Sequence, residues 1–226
     1  MTRKLVWILL CLASLALIAG SLMKWLPISL IEVFGFITGA VCVLLVVEQN
    51  IWTFPVGIAN NVFFIILFLT VRLYGDMGLQ FIYIALALHG WYQWLWGGAN
   101  RTPLRVSRMP WREGVWLAIF GAGATAGMTV YLTAIHDSAP FLDALTTVLS
   151  LIAQYLLNRK RLENWLVWIV ADIIYIGLYA HKDLYLTAVL YAVFIGMCIA
   201  GIRSWMKAMR ERADEEPVVV AAGGAA

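Results

Sequence analysis

Asp172 sits about half-way along an unbroken apolar run, in WLVWIVADIIYIGLY. A carboxyl group at membrane depth costs a few kcal/mol or more when it faces lipid, so it has to face a protein interior. Trp168, Tyr175 and Tyr179 stand at i−4, i+3 and i+7 from it, on one helical face. A carboxylate ringed by aromatic faces suits a cationic heterocycle, through charge pairing and cation–π attraction. Asn60 and Asn61 are adjacent inside an earlier apolar run, and their amides both donate and accept, which fits a sugar or a carboxamide. Pro55, just before them, removes a backbone donor and is expected to loosen that helix. Gln80 and Tyr83 lie three apart in the next run, where Trp91 is also deep, and Gln154 and Tyr191 add an amide and a phenol further on. The predicted substrate contacts are therefore Asn60, Asn61, Gln80, Tyr83, Trp91, Gln154, Trp168, Asp172, Tyr175 and Tyr191. The competing reading for each is hydrogen bonding between helices, a use that buried polar groups also serve in membranes.

The elements that must position these groups are transmembrane helices. The 226 residues are 63% hydrophobic and 13% charged, with mean hydropathy +0.85. A soluble domain is closer to half apolar and a quarter charged. Eight apolar segments are predicted, at 5–23, 30–47, 52–71, 77–96, 115–135, 140–158, 164–181 and 184–203, each near the length that spans a bilayer. The first follows Met-Thr-Arg-Lys and is read as a retained helix, being long for a signal peptide and without a clear cleavage pattern. If the N-terminus is cytoplasmic, 13 of the 16 Lys and Arg residues fall in inside loops, leaving only Lys24, Arg72 and Lys182 outside. This asymmetry supports eight spans with both ends in the cytoplasm.

The chain also repeats itself. Displaced by 111 residues, positions 55–95 match 166–206 without a gap, ten of 41 pairs being identical, among them Tyr74/Tyr185, Gly90/Gly201 and Trp94/Trp205. Asn61 falls on Asp172 in the same register. The predicted fold is thus all-α, with two parallel three-helix repeats (segments 2–4 and 6–8) joined by segment 5. In residues, 1–27 is an extra helix, 28–98 the first bundle, 99–136 a basic loop and linker helix, 137–206 the second bundle, and 207–226 a disordered cytoplasmic tail. Transporters built from such repeats hold substrate near the midplane between them.

Other classes lose support. A net charge of +3, spread over several loops, gives no footprint for nucleic acid. HExxH, GxSxG and phosphate-loop motifs are absent from the sequence, no Ser/His/Asp triad forms across segments, and no loop could bind ATP; no enzyme and no cofactor are predicted. Cys11, Cys42 and Cys198 each lie in an apolar run and are read as small buried hydrophobes. Trp25, Trp52, Trp94, Trp96, Trp111, Trp165 and Trp205 lie near segment ends and are read as an interfacial belt.

WTFPVGIANNVFF, LYGDMGLQFIYIALALHGWYQW, ENWLVWIVAD and LYLTAVLYAVF together resemble the PnuC family of bacterial vitamin transporters, over roughly residues 30–206. The resemblance implies a SWEET-like core, a homotrimer, and uptake of nicotinamide riboside by energy-independent facilitated diffusion. It further implies trapping by a cytoplasmic kinase that phosphorylates the vitamin. Gln80 and Tyr83 match the family's Gln-x-x-Tyr run, and Trp165, Trp168 and Asp172 its second-repeat helix. Thiamine or another vitamin is the alternative cargo, with Tyr175 a residue that could tune the choice. A membrane sensor or scaffold that binds a ligand and moves nothing is the alternative from another class.

Overall fold

The computed structural model describes residues 3–26, 30–70, 74–137, 139–181 and 185–223. Its elements are α1 (Arg3–Leu22), α2 (Leu30–Val47), α3 (Thr53–Thr70), α4 (Tyr74–Trp96), α5 (Trp111–Ala134), α6 (Pro140–Asn158), α7 (Asn164–His181) and α8 (Tyr185–Gly223), with a 3-10 turn at Ala99–Arg101. All eight expected segments are helices. Among the described residues, six are long and apolar enough to cross a membrane, and α2 offers a shorter apolar stretch, Val33–Val47. The protein is a multi-pass membrane protein.

Three boundaries differ from the sequence reading. α3 begins at Thr53, so Pro55 lies in its first turn, where a missing N–H costs nothing, and the helix continues unbroken to Thr70. Pro55 therefore starts the helix instead of loosening it. α4 begins at Tyr74, so most of the polar turn expected between the third and fourth segments belongs to its first turn. α8 runs on as helix past Arg212, where a disordered tail is expected; Lys207 and Glu211 form an i,i+4 ion pair at 3.5 Å on this stretch.

The chain forms two compact units, residues 1–85 and 86–226. In the first, α2 packs between α1 and α3. Trp7 donates its indole N–H to Glu48 at 2.8 Å, and Thr53 donates to the Cys42 carbonyl at 3.2 Å. The Phe63 ring meets Phe34 tilted at 4.4 Å and Phe64 edge to face at 5.5 Å. Gly35 lets the Phe64 ring approach α2 so closely that a Cβ there would lie 2.7 Å from it.

In the second unit, α5 packs on α6, α6 on α7 and α7 on α8. Its core at one end of the bundle is a tryptophan cluster. Trp165 and Trp205 meet edge to face at 5.4 Å, Trp94 and Trp205 at 6.2 Å, and all three are almost fully buried. These three are core residues and not part of the belt expected for them, because α7 and α8 close on each other there. Gly201 makes the approach possible: a Cβ on it would lie 2.4 Å from the Trp165 ring. Trp25, Trp52 and Trp111 are exposed, as a belt requires. Of the cysteines only Cys198 is buried; Cys11 is exposed, on a helix whose apolar face is open on most sides.

An extended stretch from Thr102 to Pro110 straps this end. Leu104 donates to the Trp94 carbonyl at 3.1 Å, and Ser107 and Leu162 N–H groups bridge it to the α6–α7 turn at 3.0 and 2.9 Å. The Glu163 carboxylate accepts from the Met109 N–H at 2.8 Å, and Glu113 holds Arg161 at 2.9 Å. In that turn Lys160 has left-handed backbone (φ 48°), is buried, and lays its Nζ 4.3 Å from the centre of the Trp94 ring.

Gly201→Ala should force Trp165 out of place at a cost of about 1–3 kcal/mol. The melting temperature of the detergent-solubilised protein should fall, whereas Gly196→Ala, which meets nothing within 4 Å, leaves it unchanged. A second expectation concerns pH. Burial pushes the Lys160 ammonium down to about 8, while the Trp94 face favours the charged form. A lysine whose folded pKa is lowered holds more protons unfolded than folded, so stability rises with pH between about 8 and the ordinary lysine value. The stability difference between the wild type and Lys160→Met should stay flat below pH 8 and move in favour of the wild type above it, measured by unfolding across pH 7–10.

Candidate functional site

Asp172 is 5% exposed, in the middle of α7. It faces α8, where Cys198 stands with Sγ 4.0 Å from its Oδ2. One turn towards the other end of the bundle lies a stack of phenols. The Tyr175 and Tyr191 rings are 4.8 Å apart and 27° from parallel, and Tyr179 and Tyr191 5.4 Å apart and 14° from parallel. Phe194 closes the stack edge-on at 5.9 Å from Tyr191. The Tyr175 hydroxyl faces Thr146 and Ser150 of α6, both buried, and Asp143 lies within electrostatic reach of it. The sequence-predicted residues Asp172, Tyr175 and Tyr191 are thus brought together, as a carboxyl group beside flat aromatic faces within one three-helix bundle. Trp168, half-buried, is one turn before Asp172 on the same helix.

Gln154 is held differently. It donates to Asn158 Oδ1 at 3.0 Å, and Asn158 donates in turn to the Leu86 carbonyl of α4 at 2.8 Å. Such a chain joins α6 to α4 and commits one donor of the Gln154 amide to structure. Trp91 is half-buried on the same part of α4, and His89 beside it is exposed.

In the first unit Asn60 Oδ1 accepts from Thr38 Oγ1 of α2 at 2.8 Å, so its oxygen too serves helix packing. Thr38 shares this hydroxyl with the Phe34 carbonyl at 2.8 Å. Asn61, Gln80 and Tyr83 are half-buried in the same unit.

Sequence reasoning missed Thr146, Ser150 and Asn158, although a signal for them exists. Asp143, Thr146, Ser150, Gln154 and Asn158 recur at intervals of three or four along α6, a polar stripe down one helical face. Thr146, Ser150 and Asn158 are buried, so the stripe points into the bundle. Among the described residues, no group of three or more His, Cys, Asp or Glu side chains could hold a metal ion.

The family model described as nicotinamide mononucleotide transporter matches residues 29–207, most of the chain. The chain belongs to that family. Among its relatives, the nicotinamide riboside transporter PnuC of Escherichia coli strain K12 is 27% identical over 212 residues, covering 82% of this chain and 88% of the relative. The riboflavin/roseoflavin transporter RibM of Streptomyces davaonensis is 26% identical over 192 residues, covering 83% and 89%. The crystal structure of the vitamin B3 transporter PnuC superposes with a TM-score of 0.70 at 22% identity, over 93% of this chain and 94% of that one. The fold is therefore that of the transporter family, and the buried carboxyl and phenol cluster lies within the matched residues.

Asn158→Ala removes both bonds of a side chain that is 1% exposed and should destabilise the protein by about 1–2 kcal/mol. Thermal unfolding in detergent should register this as a lower midpoint at unchanged helicity, with a smaller drop for Gln154→Ala.

Proposed function

We propose that the protein is a membrane transporter for uptake of nicotinamide riboside. The observation that carries the reading is Asp172 buried beside the Tyr175–Tyr191–Tyr179 stack, in a chain of this transporter family. A flat cationic pyridine ring fits against the face of such a phenol stack, and a carboxylate offsets its charge. The ribose and carboxamide then need donors and acceptors, which Asn61, Gln80 and the remaining amide donors of Asn60 and Gln154 offer. Trp91, Trp168 and Tyr83 complete the set by providing aromatic surface.

The family resemblance supports facilitated diffusion, made one-way by a cytoplasmic kinase that phosphorylates the vitamin. The 111-residue internal repeat supports two parallel three-helix bundles, residues 28–98 and 137–206, in a SWEET-like core. Residues 99–136 join them, 1–27 add a helix and 207–226 form the tail. The contact between the repeat-related Trp94 and Trp205 is what an axis of pseudo-symmetry passing near them produces. The charge asymmetry of the loops supports cytoplasmic termini, and the family resemblance supports a bacterial inner membrane and a homotrimer. Thiamine is the second cargo, favoured by Asp172 itself, whose carboxylate can accept from an aminopyrimidine. The riboflavin/roseoflavin transporter among the relatives adds weight to variation in cargo within the family.

Liposomes containing the purified protein should take up labelled nicotinamide riboside without ATP or an ion gradient. A requirement for either defeats the facilitator reading, and binding without flux leaves a sensor or scaffold. Asp172→Ala and Gln80→Ala should fold and each lower riboside affinity by about tenfold or more, as loss of a buried polar contact does. Binding titration checks this, and a panel including thiamine decides the cargo.

A further inference from the structure

α5 and α6 leave between them a groove of about 720 Å³ open to the outside of the second unit. One wall is a row of small residues on α5, including Ala118, Ala122 and Ala126, and the other is bulky and apolar, including Leu145, Leu149 and Ile152 of α6. The α5 wall extends from Leu117 to Thr129, roughly 18 Å at 1.5 Å per residue. That is about the depth of one leaflet of the hydrocarbon core.

One end of the groove is strongly basic. Continuing the two walls by helical periodicity reaches Trp111 and Gly114 on α5, and Tyr155 and Arg159 just past Ile152. Arg112 is exposed and lies 5.9 Å over the Trp111 ring. Arg159 is half-exposed, donates to the Tyr155 hydroxyl at 2.7 Å and lies over the Tyr155 ring at 5.7 Å. The Glu113 carboxylate answers Arg161 at 2.9 Å and Arg159 at 3.5 Å. Two guanidinium groups thus share one carboxylate while Arg112 stands outside the pair, and each guanidinium carries five N–H donors. An apolar slot one leaflet deep, with an excess of guanidinium at its mouth, is complementary to an anionic lipid.

The geometry points to a binding site for an anionic phospholipid, one acyl chain in the α5–α6 groove and the phosphate against Arg112 and Arg159. A second copy of the chain in the same groove is the alternative outcome of the test. The site does not depend on which vitamin is carried; only its leaflet follows from the topology proposed above.

The test uses the purified full chain in neutral detergent, titrated with phosphatidylglycerol or phosphatidylcholine and followed by native mass spectrometry. Phosphatidylglycerol should be retained in preference, and Arg112→Ala or Arg159→Ala should each weaken its binding about fivefold. Ala122→Trp, at an exposed position on the groove wall, should block both lipids. Arg112 lies outside the Glu113 ion pairs, so its variant carries the test even if Arg159→Ala fails to fold. Equal retention of the two lipids, or phosphatidylglycerol binding unchanged in the Arg112 variant, overturns the site. Loss of an oligomer in Ala122→Trp with lipid binding intact assigns the groove to a second copy instead.

Discussion

A polar group inside a bilayer has no water to fall back on, and the second unit is arranged around that constraint. α6 carries a polar stripe from Asp143 to Asn158, and no element of this length could turn such a stripe to lipid without losing several hydrogen bonds. The stripe therefore points inward and fixes which face of α7 packs on it. Thr146 and Ser150 meet Tyr175, Asn158 ties α6 to α4, and Asp172 is carried into the same interior from α7. The buried polar cluster and the helix packing thus arise from one requirement.

Under the transport reading proposed above, structural and substrate-facing roles divide within single side chains. Asn60 spends its oxygen on Thr38, and Gln154 spends a donor on Asn158, which leaves the rest of each amide for a ligand. Such partial commitment orients an amide before substrate arrives, so less rotamer entropy is lost on binding. Asp172 differs, accepting from the weak Cys198 thiol at 4.0 Å.

The opposite end of the bundle is built for rigidity. Trp94, Trp165 and Trp205 interlock over Gly201, Lys160 caps the Trp94 face, and the strap from Thr102 to Pro110 holds the turn that presents Lys160. Beyond it the Glu113 ion pairs join α5 to the same turn. Dispersion and hydrogen bonding, not water exclusion, hold helices together in lipid, and close ring packing over a glycine uses the first of these to the full.

Sequence alone determined the eight helices, because hydropathy over about twenty residues is a bulk property that tertiary contacts cannot reverse. It also determined that Asp172, Tyr175 and Tyr191 belong to an interior, since helical spacing and the cost of exposure are local facts. Sequence position misassigned Trp94, Trp165 and Trp205, whose place near segment ends suited a belt equally well. Only the approach of α7 to α8 decided that they face inward. The function of Pro55 likewise turned on where α3 begins, a boundary that no periodicity marks. Which half of the Asn60 and Gln154 amides is already spoken for was settled by Thr38 and Asn158, partners supplied by another helix or by a turn of the same one. Spacing along a chain fixes which groups share a face; which neighbour that face meets is a property of the packed bundle alone.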